Sequence, residues 1–234
     1  MSRTIVIGDV HGCRAELEAL LERVALASDD DLVFVGDLVA KGPDSRGVLA
    51  IARKTKARVA VGNHEEKLLA ARTAKREKRA LPKLDPTHER LLAELDDEEW
   101  AELEALPLSL ELPAHDVRIV HAGVVPGIPF ADQDPWLLTH IRSITEKGPS
   151  VKWGPLWGAS YEGPPHIVFG HNARKDPQLH AHATGLDTAC VYGGELTALV
   201  LPAGARLPPP NERRDLLVSE RARRAYSDYG RALS

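Results

Sequence analysis

Asp9 and His11 stand two residues apart in Gly8-Asp9-Val10-His11-Gly12, directly after the apolar run Thr4-Ile5-Val6-Ile7. A carboxylate and an imidazole at that spacing, where a strand passes into a loop, can both turn toward one cation, because hard and borderline divalent ions take oxygen and imidazole ligands. The arrangement recurs along the chain. Leu32–Val35 leads to Gly36-Asp37, and Arg58–Val61 leads to Gly62-Asn63-His64-Glu65. Val117–Val120 leads to His121-Ala122-Gly123, and His166–Phe169 leads to Gly170-His171. Asp37, leaving the neighbouring strand, can bridge two ions, and Asn63, His121 and His171 then complete a second site. Two cations about 3.5–4 Å apart activate a shared hydroxide and hold phosphoryl oxygens for in-line attack. The chemistry implied is hydrolysis of phosphate esters or anhydrides. Each motif alone is an ordinary turn, but five on one set of strand exits are hard to produce by accident.

His88, His115, His140, His180 and His182 lack this context and read as surface or structural histidines. His166 opens its strand and belongs at the far end. His64 follows Asn63 and should sit beside the metals without binding them, with Glu65 orienting its neighbours.

Short β-branched runs bounded by glycine are buried strands. Between the first two, Leu17, Leu20, Leu21 and Val24 form the stripe of an amphipathic helix. Strand–helix–strand alternation predicts an α/β protein whose site lies beyond the carboxyl ends of its strands. A helical insertion is expected over about 66–106. Leu108–Leu112 with Val117–Val120 reads as a hairpin, and so does Cys190–Val191 with Leu196–Leu201 across Gly193-Gly194. These elements place one domain over 1–202. A Pro- and Arg-rich extension follows over 203–234, with Pro208-Pro209-Pro210 as a stiff spacer ahead of its arginine-rich end.

The insertion is charge-segregated, with a basic helix from His64 followed by an acidic stretch from Asp85 to Glu104. The two can pair as a hairpin. Arg72, roughly 12 Å along the basic helix, is also within reach of the distal phosphates of a substrate, and both readings can hold at once.

Composition excludes several classes. The 234 residues are 43% hydrophobic and 27% charged, with net charge −4, ordinary for a globular enzyme and against bulk nucleic-acid binding. Two cysteines, Cys13 and Cys190, cannot build a disulfide framework. No leader and no run of about 18 apolar residues is evident, so a cytoplasmic enzyme without membrane contact is expected.

The ordered set GDVHG, GDLV…KG, GNHE, HAG and GH resembles the calcineurin-like metallophosphoesterases of the phosphoprotein-phosphatase superfamily. Within them, Gly36–Ser45 and Gly185–Gly194 are similar to symmetrical diadenosine tetraphosphate hydrolases and ApaH-like phosphatases. The resemblance implies two mixed β-sheets sandwiched between helices (αββα) with a dinuclear centre at the rim. It implies Asp9, His11 and Asp37 on one metal, and Asp37, Asn63, His121 and His171 on the other. The ions would be manganese, with iron, zinc or cobalt as alternatives. It makes His64 the general acid, beside the catalytic Asp37, and Arg142 a substrate-gripping arginine, while Tyr192 either lines the site or is a hairpin residue.

Typical protein phosphatases of the family read GDxVDRG, where the aspartate supports the catalytic histidine. Here Ala40 and Lys41 take the places of that aspartate and arginine. Lys41 binds phosphate as a point charge without a bidentate fork. Loss of the carboxylate leaves the His64 imidazolium less stabilised and so less available as a proton donor, hence anhydride substrates with good leaving groups. The reading is hydrolysis of diadenosine tetraphosphate to two ADP. Phosphoprotein phosphatase and RNA-cap or NTP-end hydrolase are alternatives within the family, and an inactive metal-binding scaffold is one from outside it.

Overall fold

The computed structural model of the chain describes residues 2–228, so the last six residues of the 203–234 extension lie outside the described residues. The chain runs β1 (Thr4–Ile7), α1 (Arg14–Arg23), β2 (Asp31–Phe34), α2 (Ser45–Thr55) and β3 (Arg58–Val59). The insertion holds α3 (Asn63–Arg76), α4 (Pro86–Glu94) and α5 (Asp97–Glu104). There follow β4 (Ser109–Leu112), β5 (Val117–Val120), α6 (Pro135–His140), β6 (Ser143–Thr145), β7 (Gly148–Ser150) and β8 (His166–Phe169). Last come β9 (Gln178–Leu179), β10 (Ala183–Gly185), β11 (Glu195–Leu201), α7 (Pro210–Arg213) and β12 (Leu217–Arg221).

Two mixed five-stranded sheets result, ordered β12-β11-β1-β2-β3 and β4-β5-β8-β10-β9, with β6-β7 as a separate ribbon. Side-chain alternation decides the layers. Ile5, Ile7 and Phe34 of the first sheet pack outward on the helices, against Leu17, Leu20, Val48, Leu68 and Leu103. Val6 and Val33 point the other way and meet Val117, Ile119 and Val168 of the second sheet. The outer face of that sheet, with Ile167 and Phe169, is covered by Leu138 and Ile141 around Trp157. These layers are the αββα sandwich expected, and they explain why the strands read as continuous apolar runs: both faces are buried.

β1, β2 and β3 run parallel, as do β5, β8 and β10, so the carboxyl ends of the motif-bearing strands can gather at one rim. β4 and β5 form the expected antiparallel hairpin, Ser109 opposite Val120 and Leu112 opposite Val117. The second expected hairpin does not form. Cys190 and Val191 lie in a turn and pack into the helical side of the core. The reason is that β11 is already paired on both edges, antiparallel to β1 and to β12. Its partner thus comes from the segment set apart as an extension, which Arg213 fastens to the second sheet. That guanidinium, 1% exposed, donates to Pro208 O, His180 O and Thr184 Oγ1.

Candidate active site

The motif-bearing turns are sharp. His11, Asp37 and His171 take positive φ values of 47°, 52° and 63°, so each chain doubles back as it leaves its strand. Left-handed backbone costs a non-glycine residue about 1 kcal/mol or more, so something must hold these turns. Glu65, fully buried, accepts the backbone N–H groups of Asp37 (2.9 Å), Val39 (3.1 Å) and Gly62 (2.9 Å). It orients its surroundings, as its place in the sequence suggested. Burial, with Asp37 nearby, pushes its carboxyl up to about 7. Asp9 accepts the N–H of His171 at 3.0 Å, tying the two sheets together. The glycines before the candidate ligands leave room for carboxylates. A Cβ on Gly62 would stand 2.2 Å from Asp37 Oδ1, and one on Gly170 1.8 Å from Asp9 Oδ1.

The carboxylate of Asp37 lies at the centre. Its Oδ2 is 3.4 Å from Nε2 of His11 and 3.4 Å from Nε2 of His121. Each ring is set by its other nitrogen: Nδ1 of His11 donates to Val39 O, and Nδ1 of His121 to Val35 O, both at 3.1 Å. Both Nε2 atoms are thereby turned inward, the orientation of histidines that bind metals. Asn63 Oδ1 lies 3.1 Å from His121 Nε2 and 2.9 Å from His171 Nδ1. Nε2 of His171 is buried without a partner among the described residues. Oxygens and imidazole nitrogens thus converge. Separations near 3.4 Å are those between neighbouring ligands held about 2.1 Å from one cation. The ammonium of Lys41 sits 2.8 Å from His11 Nε2, so this space already accepts positive charge. The donor set fits divalent ions, and the side chains of Asp9, Asp37 and His121 fall within 4.8 Å of one another. His11, Asp37 and His64 form a second such group, with Asp37 common to both.

The electrostatics follow from burial at the junction of opposite charges. Burial and neighbouring Asp187 raise Asp9 well above the usual carboxylate range. Burial works the same way on Asp37, but the imidazoles of His121, His64 and His11 outweigh it and hold Asp37 well below that range. Burial and the Lys41 ammonium lower His11 to about 3. Burial also opposes charge on His121, yet Asp37 and Asp9 reverse the balance and lift it to about 9.

Lys41, Arg142 and Tyr192 line the cleft together with Asp9, His11, Asp37, Asn63, His64 and His171. Arg142 is braced by the carbonyl of His171 and by Asn172 Oδ1, both at 3.0 Å. The ammonium of Lys41 lies 5.3 Å from the centre of the Tyr192 ring. Arg72 pairs with Glu104 at 2.6 Å and lies over the Trp100 ring at 4.6 Å, where the acidic α5 packs beside α3. It is not among the residues lining the cleft.

Two residues at the site were not singled out in the sequence. Asp187, 7% exposed, lines the cleft within the Gly185–Gly194 run, where only Tyr192 had been marked. His88, placed among the surface or structural histidines, is fully buried with its Nε2 3.2 Å from His64 Nδ1. The acid candidate therefore has a neighbour on its Nδ1 side although residue 40 is alanine. The signal was Asp85-Pro86-Thr87-His88, a helix start whose cap also reaches a ring.

Residues 2–220 match the family described as calcineurin-like phosphoesterase. The chain belongs to that family. It is accordingly a metal-dependent phosphoesterase of the αββα fold. Its relatives include an asymmetrical bis(5'-nucleosyl)-tetraphosphatase PrpE from Oceanobacillus iheyensis, 32% identical, with 84% of this chain and 88% of the relative covered. Another is a symmetrical bis(5'-nucleosyl)-tetraphosphatase from Chromohalobacter salexigens, 33% identical over 86% of this chain and 95% of the relative. A crystal structure carrying the provisional name diadenosine tetraphosphatase is 35% identical, covers 94% of both chains and superposes with a TM-score of 0.80.

Proposed function

We propose that this phosphoesterase hydrolyses the anhydride bonds of dinucleoside polyphosphates, diadenosine tetraphosphate foremost, releasing two ADP. The observation that carries this reading is the Asp37 carboxylate, 3.4 Å from inward-turned nitrogens of both His11 and His121. Asp9, His11 and Asp37 would hold one divalent cation, and Asp37, Asn63, His121 and His171 the other. Manganese suits such a mixed oxygen and imidazole set. When bound, the pair supplies charge stabilisation to phosphoryl oxygens and a water of lowered pKa.

The chain's own groups account for the remainder. His64 faces the cleft beside Asp37 and gives a proton to the departing oxygen. Burial lowers His64 well below the usual imidazole range, and Asp37 opposes this. A bound polyanion adds negative charge beside the ring and favours its protonated form. Lys41 and the braced Arg142 meet the phosphate chain, and the Tyr192 ring offers a surface to the nucleoside. The names of the tetraphosphatase relatives support a dinucleotide over a phosphoprotein.

Incubation with manganese and diadenosine tetraphosphate tests the proposal. Two ADP are expected. AMP plus ATP would shift the attacked phosphorus to the asymmetric position. Absence of any nucleotide product, alongside phosphate release from a phosphoserine peptide, would overturn the substrate class.

A further inference from the structure

Residue 40 ends in a fully buried methyl group, so it gives His64 no hydrogen-bonding support. The ring is held from another direction. Nδ1 of His64 lies 3.2 Å from Nε2 of His88, and the two ring planes are 15° apart. Nδ1 of His88 in turn donates to Asp85 Oδ2 at 2.7 Å. A carboxylate only accepts, so the His88 proton sits on Nδ1 and its Nε2 presents a lone pair. His64 must therefore donate from Nδ1, which leaves its Nε2 edge for the cleft. Asp85 sets the direction of every hydrogen bond in the series.

The surroundings keep the series in place. Asp85 is the N-cap of α4, and its Oδ1 accepts from the N–H groups of Thr87 (3.0 Å) and His88 (3.1 Å), which frees Oδ2 for the ring. The Thr87 hydroxyl accepts the N–H of Lys41 at 2.9 Å, so the same turn grips the loop that carries Ala40. The insertion is thus joined to the site at two points.

We propose that His88 and Asp85 are positioning residues for His64: they fix its ring plane and tautomer, supplying from the helical insertion the support that residue 40 lacks. The inference rests on His64 acting at the leaving oxygen, as proposed above. A loss at His88 should then cost rate in proportion to the basicity of the departing oxygen.

The test compares turnover of phosphate esters whose leaving groups range from nitrophenol to simple alcohols, in the manganese-loaded protein. His88→Ala should slow the most basic leaving groups roughly 10- to 100-fold and the least basic about threefold or less, with KM and metal content unchanged. His88→Gln, whose amide oxygen can accept from His64 Nδ1, should recover most of the loss. Asp85→Asn keeps the helix cap but offers an amide N–H to His88, which favours the wrong tautomer. It should reproduce the same selective loss, and it covers the case in which the buried His88→Ala fails to fold. His64→Ala combined with His88→Ala should be no worse than His64→Ala alone. A uniform loss across leaving groups in the His88 and Asp85 variants, with His64→Ala still selective, would overturn the positioning role alone. A uniform loss in His64→Ala would overturn both it and the acid role on which it rests.

Discussion

At the scale of single residues, the site shows which information a sequence carries in residue type and which it carries in conformation. Asp9, His11, Asp37, Asn63, His121 and His171 were legible because carboxylate, amide and imidazole groups follow apolar runs at regular places. The left-handed turns that fold His11, Asp37 and His171 back over the sheet rim were not, since no residue type announces them. The Asp85–His88–His64 series was hidden for a different reason. It joins residues 24 positions apart through an insertion whose packing only the tertiary structure fixes. His166 lies at the far end of its strand, where it opens β8 and meets Thr184 Oγ1 at 2.9 Å. Burial, with Arg213 nearby, lowers this imidazole to about 3. The unfolded chain takes up a proton below about 6.5 while the folded chain does not, so this contribution is intact above that pH. It falls as pH drops toward 3, by up to about 1.4 kcal/mol per pH unit. Between pH 7 and 5.5 the wild type should lose about 1 kcal/mol more unfolding free energy than His166→Gln, measured in urea. Equal losses would show that His166 is not buried neutral.

Elements were easier to foresee than their partners. The amphipathic stripe of α1, the β4–β5 hairpin and the helical insertion all stand where periodicity put them. Pairing was harder, because a strand's neighbours depend on which edges remain free. Cys190–Val191 could not join β11 once β1 and β12 had taken both sides. Charge segregation in the insertion signalled that basic and acidic helices meet, but not how widely the acids are shared. Glu99 and Glu102 of α5 pair with Arg46 and Arg53 of α2, while Glu104 takes Arg72 of α3. Arg72→Glu should therefore act on the insertion and leave phosphate recognition alone. A loss of roughly 1–2 kcal/mol is expected from two facing like charges and the disturbed Trp100 contact. KM should stay within about twofold for both diadenosine tetraphosphate and a small aryl phosphate. A selective rise for the dinucleotide would restore Arg72 to the substrate path.

Across the whole molecule, the site is a seam between two sheets. Asp9, His11, Asp37 and Asn63 come from the ends of β1, β2 and β3, while His121 and His171 come from β5 and β8. Apolar packing of Val6 and Val33 on Ile119 and Val168 sets the distance across which these side chains meet. That layering was readable from runs buried on both faces and from glycine at each exit. The strand added by Leu217–Arg221 was not, because an edge strand with one half-exposed face carries little apolar pattern. One carboxylate shared across the seam would organise two cations, and metal analysis of Asp37→Asn beside the wild type decides whether it does. The wild type should carry two manganese ions per chain. The variant should retain at most one, with turnover lower by several orders of magnitude, since both sites and the attacking water depend on that group. Two ions still bound in Asp37→Asn, with turnover close to normal, would show that Asp37 does not join the two sites.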